Sequence, residues 1–166
     1  MEKRIRQYTG ILAAVAAYYA IHEGAHLLTA LCCGSFKQIR FLGLGIQIDV
    51  YADRMTNLQM GIFCLAGAAA TFAAGWGMIL LAKRICRIKS RMVKTATWYV
   101  TLAVLILDPL YLSILCGFFG GGDMNGIVLL FPETAARTVF AVIGIVHGLV
   151  VWKYLLPEYK KAFWQP

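Results

Sequence analysis

Charged side chains are scarce in this chain. Asp, Glu, Lys and Arg make up 14% of its 166 residues and hydrophobic types 60%, whereas a soluble domain carries roughly 25% charged and 45–50% apolar residues. The deficit excludes an ordinary water-soluble globule and predicts a single integral-membrane domain over residues 1–166. Acid is the scarcer sign, with eight Asp and Glu against sixteen Lys and Arg, for a net charge of +8. The excess falls in short segments between apolar runs, where it sets topology and meets anionic headgroups, so the lipid bilayer is the expected partner and nucleic acid is not. The five cysteines, Cys32, Cys33, Cys64, Cys86 and Cys116, form no CxxC pair and no secreted-scaffold spacing. They read as buried small hydrophobes. Repeats and low-complexity tracts are missing as well.

What the chain does have is four long apolar runs, at about 8–31, 58–81, 97–118 and 135–156. Each is long enough, as a helix, to cross about 30 Å of hydrocarbon. The expected fold is an all-α membrane protein of about four transmembrane helices. Twelve of the sixteen Lys and Arg lie in residues 3–6, 83–94 and 153–161, on one side of such an arrangement, and Lys37, Arg40, Arg54 and Arg137 lie on the other. The positive-inside rule then puts both termini on the cytoplasmic side, and a bacterial cell membrane is the expected setting. MEKRIR followed by an apolar run also resembles a signal peptide, but the run is too long, carries His22, Glu23 and His26, and ends in LLTALCCG without a small-x-small exit.

Two connections have patterns of their own. In residues 36–51, Ile39 and Phe41, then Ile46, Ile48 and Val50, alternate with polar or small residues around Gly43-Leu44-Gly45, which predicts a short β-hairpin after the first span. Its open edge is not tolerated against lipid, so it belongs at the interface or on a protein-walled cavity. After the third span, Gly120, Gly121 and Gly122 let the chain turn, and the apolar residues 127–131 are expected to dip back as a re-entrant loop. Within the second run Gly67, Thr71 and Gly75 recur every four residues, as do Ala66, Ala70 and Ala74. That spacing makes a nearly smooth face for close helix packing.

Ionisable groups at bilayer depth are costly and mark function. His22-Glu23-Gly24-Ala25-His26, inside the first run, is an HExxH motif. Residues i and i+4 share one helical face about 5–6 Å apart, so two imidazoles can grip one metal ion while the glutamate beside them handles the proton of a water. A catalytic zinc has three protein ligands, and the candidates for the third are Asp123, Asp108 and His147. Depth along the helices favours Asp123, with Asp108 next. An Asp108 that is not a ligand is suited to accept a hydrogen bond from a ligating histidine. His147, mid-span in the last run, reads as a hydrogen-bonded core residue.

An HExxH within a span, then a short hairpin, a small-residue span, and a span or loop with one aspartate resembles the site-2 protease family of intramembrane zinc metalloproteases, over residues 8 to about 131. The resemblance implies His22 and His26 as Zn2+ ligands, Glu23 as general base, and the hairpin edge as the holder of an extended substrate. The implied activity is hydrolysis of a peptide bond in a membrane-embedded or membrane-associated protein or peptide. Two motifs depart from the family pattern. Its Leu-Asp-Gly is represented by Leu107-Asp108-Pro109 and by Gly122-Asp123, and its small-residue span, here 65–77, lacks Gly-Pro and Asn. The alternative reading is a membrane metal-binding protein or metal transporter using the same His/Glu/Asp cluster. Transport needs no fixed order of His and Glu, whereas a hydrolytic base does, which favours the protease reading.

Overall fold

The structure is a computed structural model that describes residues 2–43, 45–118 and 121–164. The first helix, α1, runs from Glu2 to Cys32 and stops at a glycine signal. Gly34 takes a left-handed φ of +62°, its N–H bonds to Leu31 O at 3.1 Å, and Ser35 N–H reaches back to Ala30 O at 2.9 Å. These two bonds satisfy the last carbonyls of the helix in a Schellman motif. The chain leaves the motif directly into β1, Phe36–Leu42, which pairs antiparallel with β2, Gly45–Val50.

The hairpin matches the alternating pattern, with Ile39 opposite Ile48 and Phe41 opposite Ile46, and a register shift between Phe36 and Gln38. Leu44 of its turn lies outside the described residues. Arg40 and Gln38 both bond Asp49 Oδ2, the shortest contact being 2.6 Å from Arg40 Nη2. Burial raises the Asp49 carboxyl, but the hydrogen bonds from Gln38 and Arg40 outweigh it and hold the group below the usual carboxylate range.

Helix α2, Asn57–Cys86, opens with a capping box, Gln59 N–H to Thr56 Oγ1 at 3.2 Å and Thr56 N–H to Gln59 Oε1 at 2.9 Å. Helix α3 spans Arg91–Ser113 under a Ser90 cap. The expected third span, 97–118, is therefore displaced toward the N-terminus. An apolar run marks where a helix is hydrophobic, whereas the cap at Ser90 marks where it begins, and Arg91 and Lys94 are good helix formers. For the same reason most of the basic connection is helical, with only residues 87–90 between α2 and α3.

Beyond α3 come the short helix α4, Met124–Ile127, then α5, Glu133–Val150. A π-helical turn, Val151–Leu155, joins α5 to α6, Leu156–Trp164, just where Pro157 withdraws an N–H from the helix. Among the described residues four helices are long and apolar enough to cross a membrane: Lys3–Cys32, Asn57–Cys86, Arg91–Ser113 and Glu133–Phe163. Their outer faces carry large apolar side chains, among them Leu12, Leu28, Leu80 and Ile145. Helix α3 packs against α1, α2 and α5 and so stands at the centre.

Candidate metal centre

His22 and His26 lie one turn apart on α1, and their Nε2 atoms are 3.1 Å from each other. Asp123 Oδ2 completes a triangle, 3.2 Å from His22 Nε2 and 3.4 Å from His26 Nε2. Both histidines are buried, and the Asp123 side chain is 19% exposed. Zinc bonds to nitrogen of about 2.0–2.1 Å imply about 3.3–3.4 Å between neighbouring ligands of a tetrahedron. The three observed edges lie on or within about 0.2 Å of that length.

The outer nitrogen of each ring fixes what the inner one offers. His26 Nδ1 is 2.7 Å from the Phe63 carbonyl oxygen, which can only accept, so Nδ1 carries the proton. His22 Nδ1 lies 3.2 Å from one oxygen of Asp108 and 3.4 Å from the other, again an acceptor. With neutral rings, both Nε2 atoms then present bare lone pairs toward a carboxylate oxygen. In that neutral state three acceptors converge with no donor among them, an arrangement that a metal cation, or a proton, between them relieves. The donor set, two imidazoles and one carboxylate, is one that zinc accepts.

Asp108 sits behind His22, on the ring's Nδ1 side. It is 1% exposed and accepts from Tyr18 Oη at 2.5 Å, from Thr71 Oγ1, and from His22. Its oxygens are committed to orienting that ring. The cluster of groups able to share one ion, among the described residues, is His22, His26 and Asp123.

His147 is elsewhere. Pro109 has no N–H for the carbonyl of Leu105 four residues earlier, and His147 Nδ1 supplies the missing donor at 2.7 Å. The residue is 3% exposed among Phe72 and Trp76.

Packing of the segment after α3 brings Asp123 to the histidines. Gly121 and Gly122 adopt φ of +85° and +46°, conformations that side-chain-bearing residues rarely take. The chain then turns α4 onto α2, where Gly126 lies directly against Cys64 and Gly61 against Leu130. Met124 and Ile127 are buried there. Gly120, part of the glycine run, lies outside the described residues.

Glu23 is half-buried on the flank of the cluster. Its Oε2 accepts the Ile48 N–H at 3.2 Å. That N–H therefore points away from β1, and the free edge of β2 faces α1. Glu23, both histidines, Asp123 and β2 line one cavity of about 930 Å3.

From the sequence, Gly67 and Thr71 had only a packing role, and Tyr18 and the Phe63 carbonyl had none. A Cβ at Gly67 would sit 2.6 Å from His22 Nε2 and 2.7 Å from His26 Nε2, so only glycine lets α2 lie against the two rings. A signal was available for three of them. Tyr18, His22 and His26 repeat every four residues on α1, and Gly67 and Thr71 share the small-residue stripe of α2. The stripe is thus more than a packing face, since one member abuts the histidines and another holds Asp108. No family model, curated protein or solved structure matches the chain, so its functional reading rests on this geometry.

Proposed function

We propose that this chain is an integral-membrane zinc metalloprotease of the kind the site-2 protease family exemplifies. The observation that carries the reading is the convergence of three potential ligand atoms, at edges of 3.1, 3.2 and 3.4 Å, next to a glutamate that lines the same cavity. His22, His26 and Asp123 would hold Zn2+. When bound, zinc acidifies water and polarises a carbonyl oxygen.

The chain's own residues do the rest. Glu23 accepts a proton from the attacking water as its oxygen bonds to the peptide carbonyl carbon, then gives that proton to the nitrogen as the C–N bond breaks. The β2 edge beside Glu23 offers backbone partners to an unwound, extended substrate. The bond between Glu23 and Ile48 ties base and edge together, a link that a metal-transit site does not need. Asp108 and the Phe63 carbonyl keep both imidazoles in the tautomer that leaves Nε2 free.

The four apolar helices and their exposed apolar faces support a multi-pass arrangement, with the basic ends and both termini cytoplasmic. In that arrangement the segment 121–131 is a re-entrant loop on the opposite side, and its buried contacts with α2 hold Asp123 at depth. Substrate is then a membrane-embedded or membrane-associated protein or peptide. The test is Glu23→Gln, with zinc content and cleavage of a labelled transmembrane peptide measured together. The variant keeps its zinc and loses about 10²–10⁴ in rate. Cleavage at the wild-type rate removes Glu23 from the reaction.

A further inference from the structure

At the far end of the molecule from the hairpin, α1, α3 and α6 border a second, open cavity, of about 340 Å3. Lys3, Arg6 and Arg91 bring three cations to its wall, and Trp98, Tyr99 and Phe163 bring three aromatic rings. Among the described residues no acid lines it, and none of the three cationic side chains has an ion-pair partner. Lys94, which is buried, spends its ammonium on the Ala162 carbonyl at 2.7 Å and so closes the end of α6.

Three cations around one hollow, without an ion-pair partner among the described residues, repel one another, and an anion relieves that repulsion. We propose that this cavity binds the headgroup of one anionic phospholipid of the cytoplasmic leaflet. Its position fits a lipid rather than a free ion. Arg91 opens α3 and the rings of Trp98 and Tyr99 both follow about two turns later, so the charge lies at the headgroup level and the rings lie where acyl chains begin. The volume is about ten times the ~30 Å3 that a water occupies in the liquid, enough for a phosphate with its ester substituents. Basic pockets between spanning helices on the cytoplasmic side are suited to this class of ligand. The inference rests on the membrane reading of the chain and is independent of the metal centre.

The test uses the purified full-length chain in uncharged detergent, titrated calorimetrically with dioctanoyl-phosphatidylglycerol, dioctanoyl-phosphatidylcholine and inorganic phosphate. The expected result is saturable binding of one phosphatidylglycerol, with phosphatidylcholine at least tenfold weaker. Each cation near a headgroup is worth about a fivefold change in affinity, so Arg6→Gln with Arg91→Gln weakens phosphatidylglycerol by about thirtyfold. If that pair fails to fold, Lys3→Gln, at an exposed position, carries the same test at about fivefold. Equal binding of the two lipids, or an unchanged affinity in the folded variants, overturns the proposal. Inorganic phosphate binding as tightly as phosphatidylglycerol makes the site one for soluble phosphate and also overturns it. Retention of the chain in carbonate-washed membranes reports on the membrane reading separately.

Discussion

A single methyl group at position 67 should dismantle the proposed metal centre. The added Cβ of Gly67→Ala would lie 2.6 Å from His22 Cε1 and Nε2 and 2.7 Å from His26 Nε2, where ordinary contact begins at 3.4 Å. One side must move by about 0.8 Å, several times the ±0.2 Å that metal–ligand distances tolerate. The rings cannot withdraw without lengthening their bonds to the Phe63 carbonyl and to Asp108. Retreat of α2 instead would part Thr71 from Asp108 and open the contact of Gly75 with Leu105. Either route costs at least the 10–100-fold in metal affinity that loss of one supporting group costs. Zinc per chain, measured after equilibration against graded chelator, reads the effect. Gly24→Ala is the control, because, its own helical neighbours aside, no heavy atom of the described residues lies within 4 Å of its Cβ position. That variant keeps its zinc, and an alanine there favours the helix by up to about 1 kcal/mol. A Gly67→Ala protein that holds zinc like wild type refutes the reasoning, as does an equal loss in Gly24→Ala.

Two further substitutions separate the roles of the remaining buried polar groups. Asp108→Asn removes the charge that orients His22 and should weaken zinc by about 10–100-fold in the same chelator assay, while leaving the ligands in place; unchanged affinity would make Asp108 a purely structural residue. His147→Leu leaves the Leu105 carbonyl without its donor in a buried setting, and should lower unfolding stability by about 1–3 kcal/mol with zinc content unaltered. Loss of zinc in that variant would place His147 at the metal.

Much of the fold was legible because length and hydropathy decide which segments can form long apolar helices, and alternation decides the hairpin. Helix ends were read less well. The start of α3 depends on one serine side chain at Ser90, which an apolar-run criterion does not see. At the site, the spacing of His22 and His26 is a local property of one helix and was readable. Choosing between Asp123 and Asp108 required tertiary information. Both carboxylates reach His22, one at Nε2 and the other at Nδ1, and only the packing of α4 on α2 and of α3 on α1 distributes them. The bond between His147 and the Leu105 carbonyl followed from Pro109 in principle, since a proline leaves a carbonyl four residues earlier in need of a donor. Gly67 was hidden for a simple reason. Its role is the absence of atoms, and a small-residue stripe reads the same whether it faces a helix or an imidazole.

X-ray absorption at the zinc edge of the purified full-length chain tests the central claim most directly. One zinc per chain is expected, with two imidazole nitrogens at about 2.0–2.1 Å and a carboxylate oxygen whose signal disappears in Asp123→Ala. A chain without zinc, or a zinc with a sulfur shell at about 2.3 Å, would contradict it.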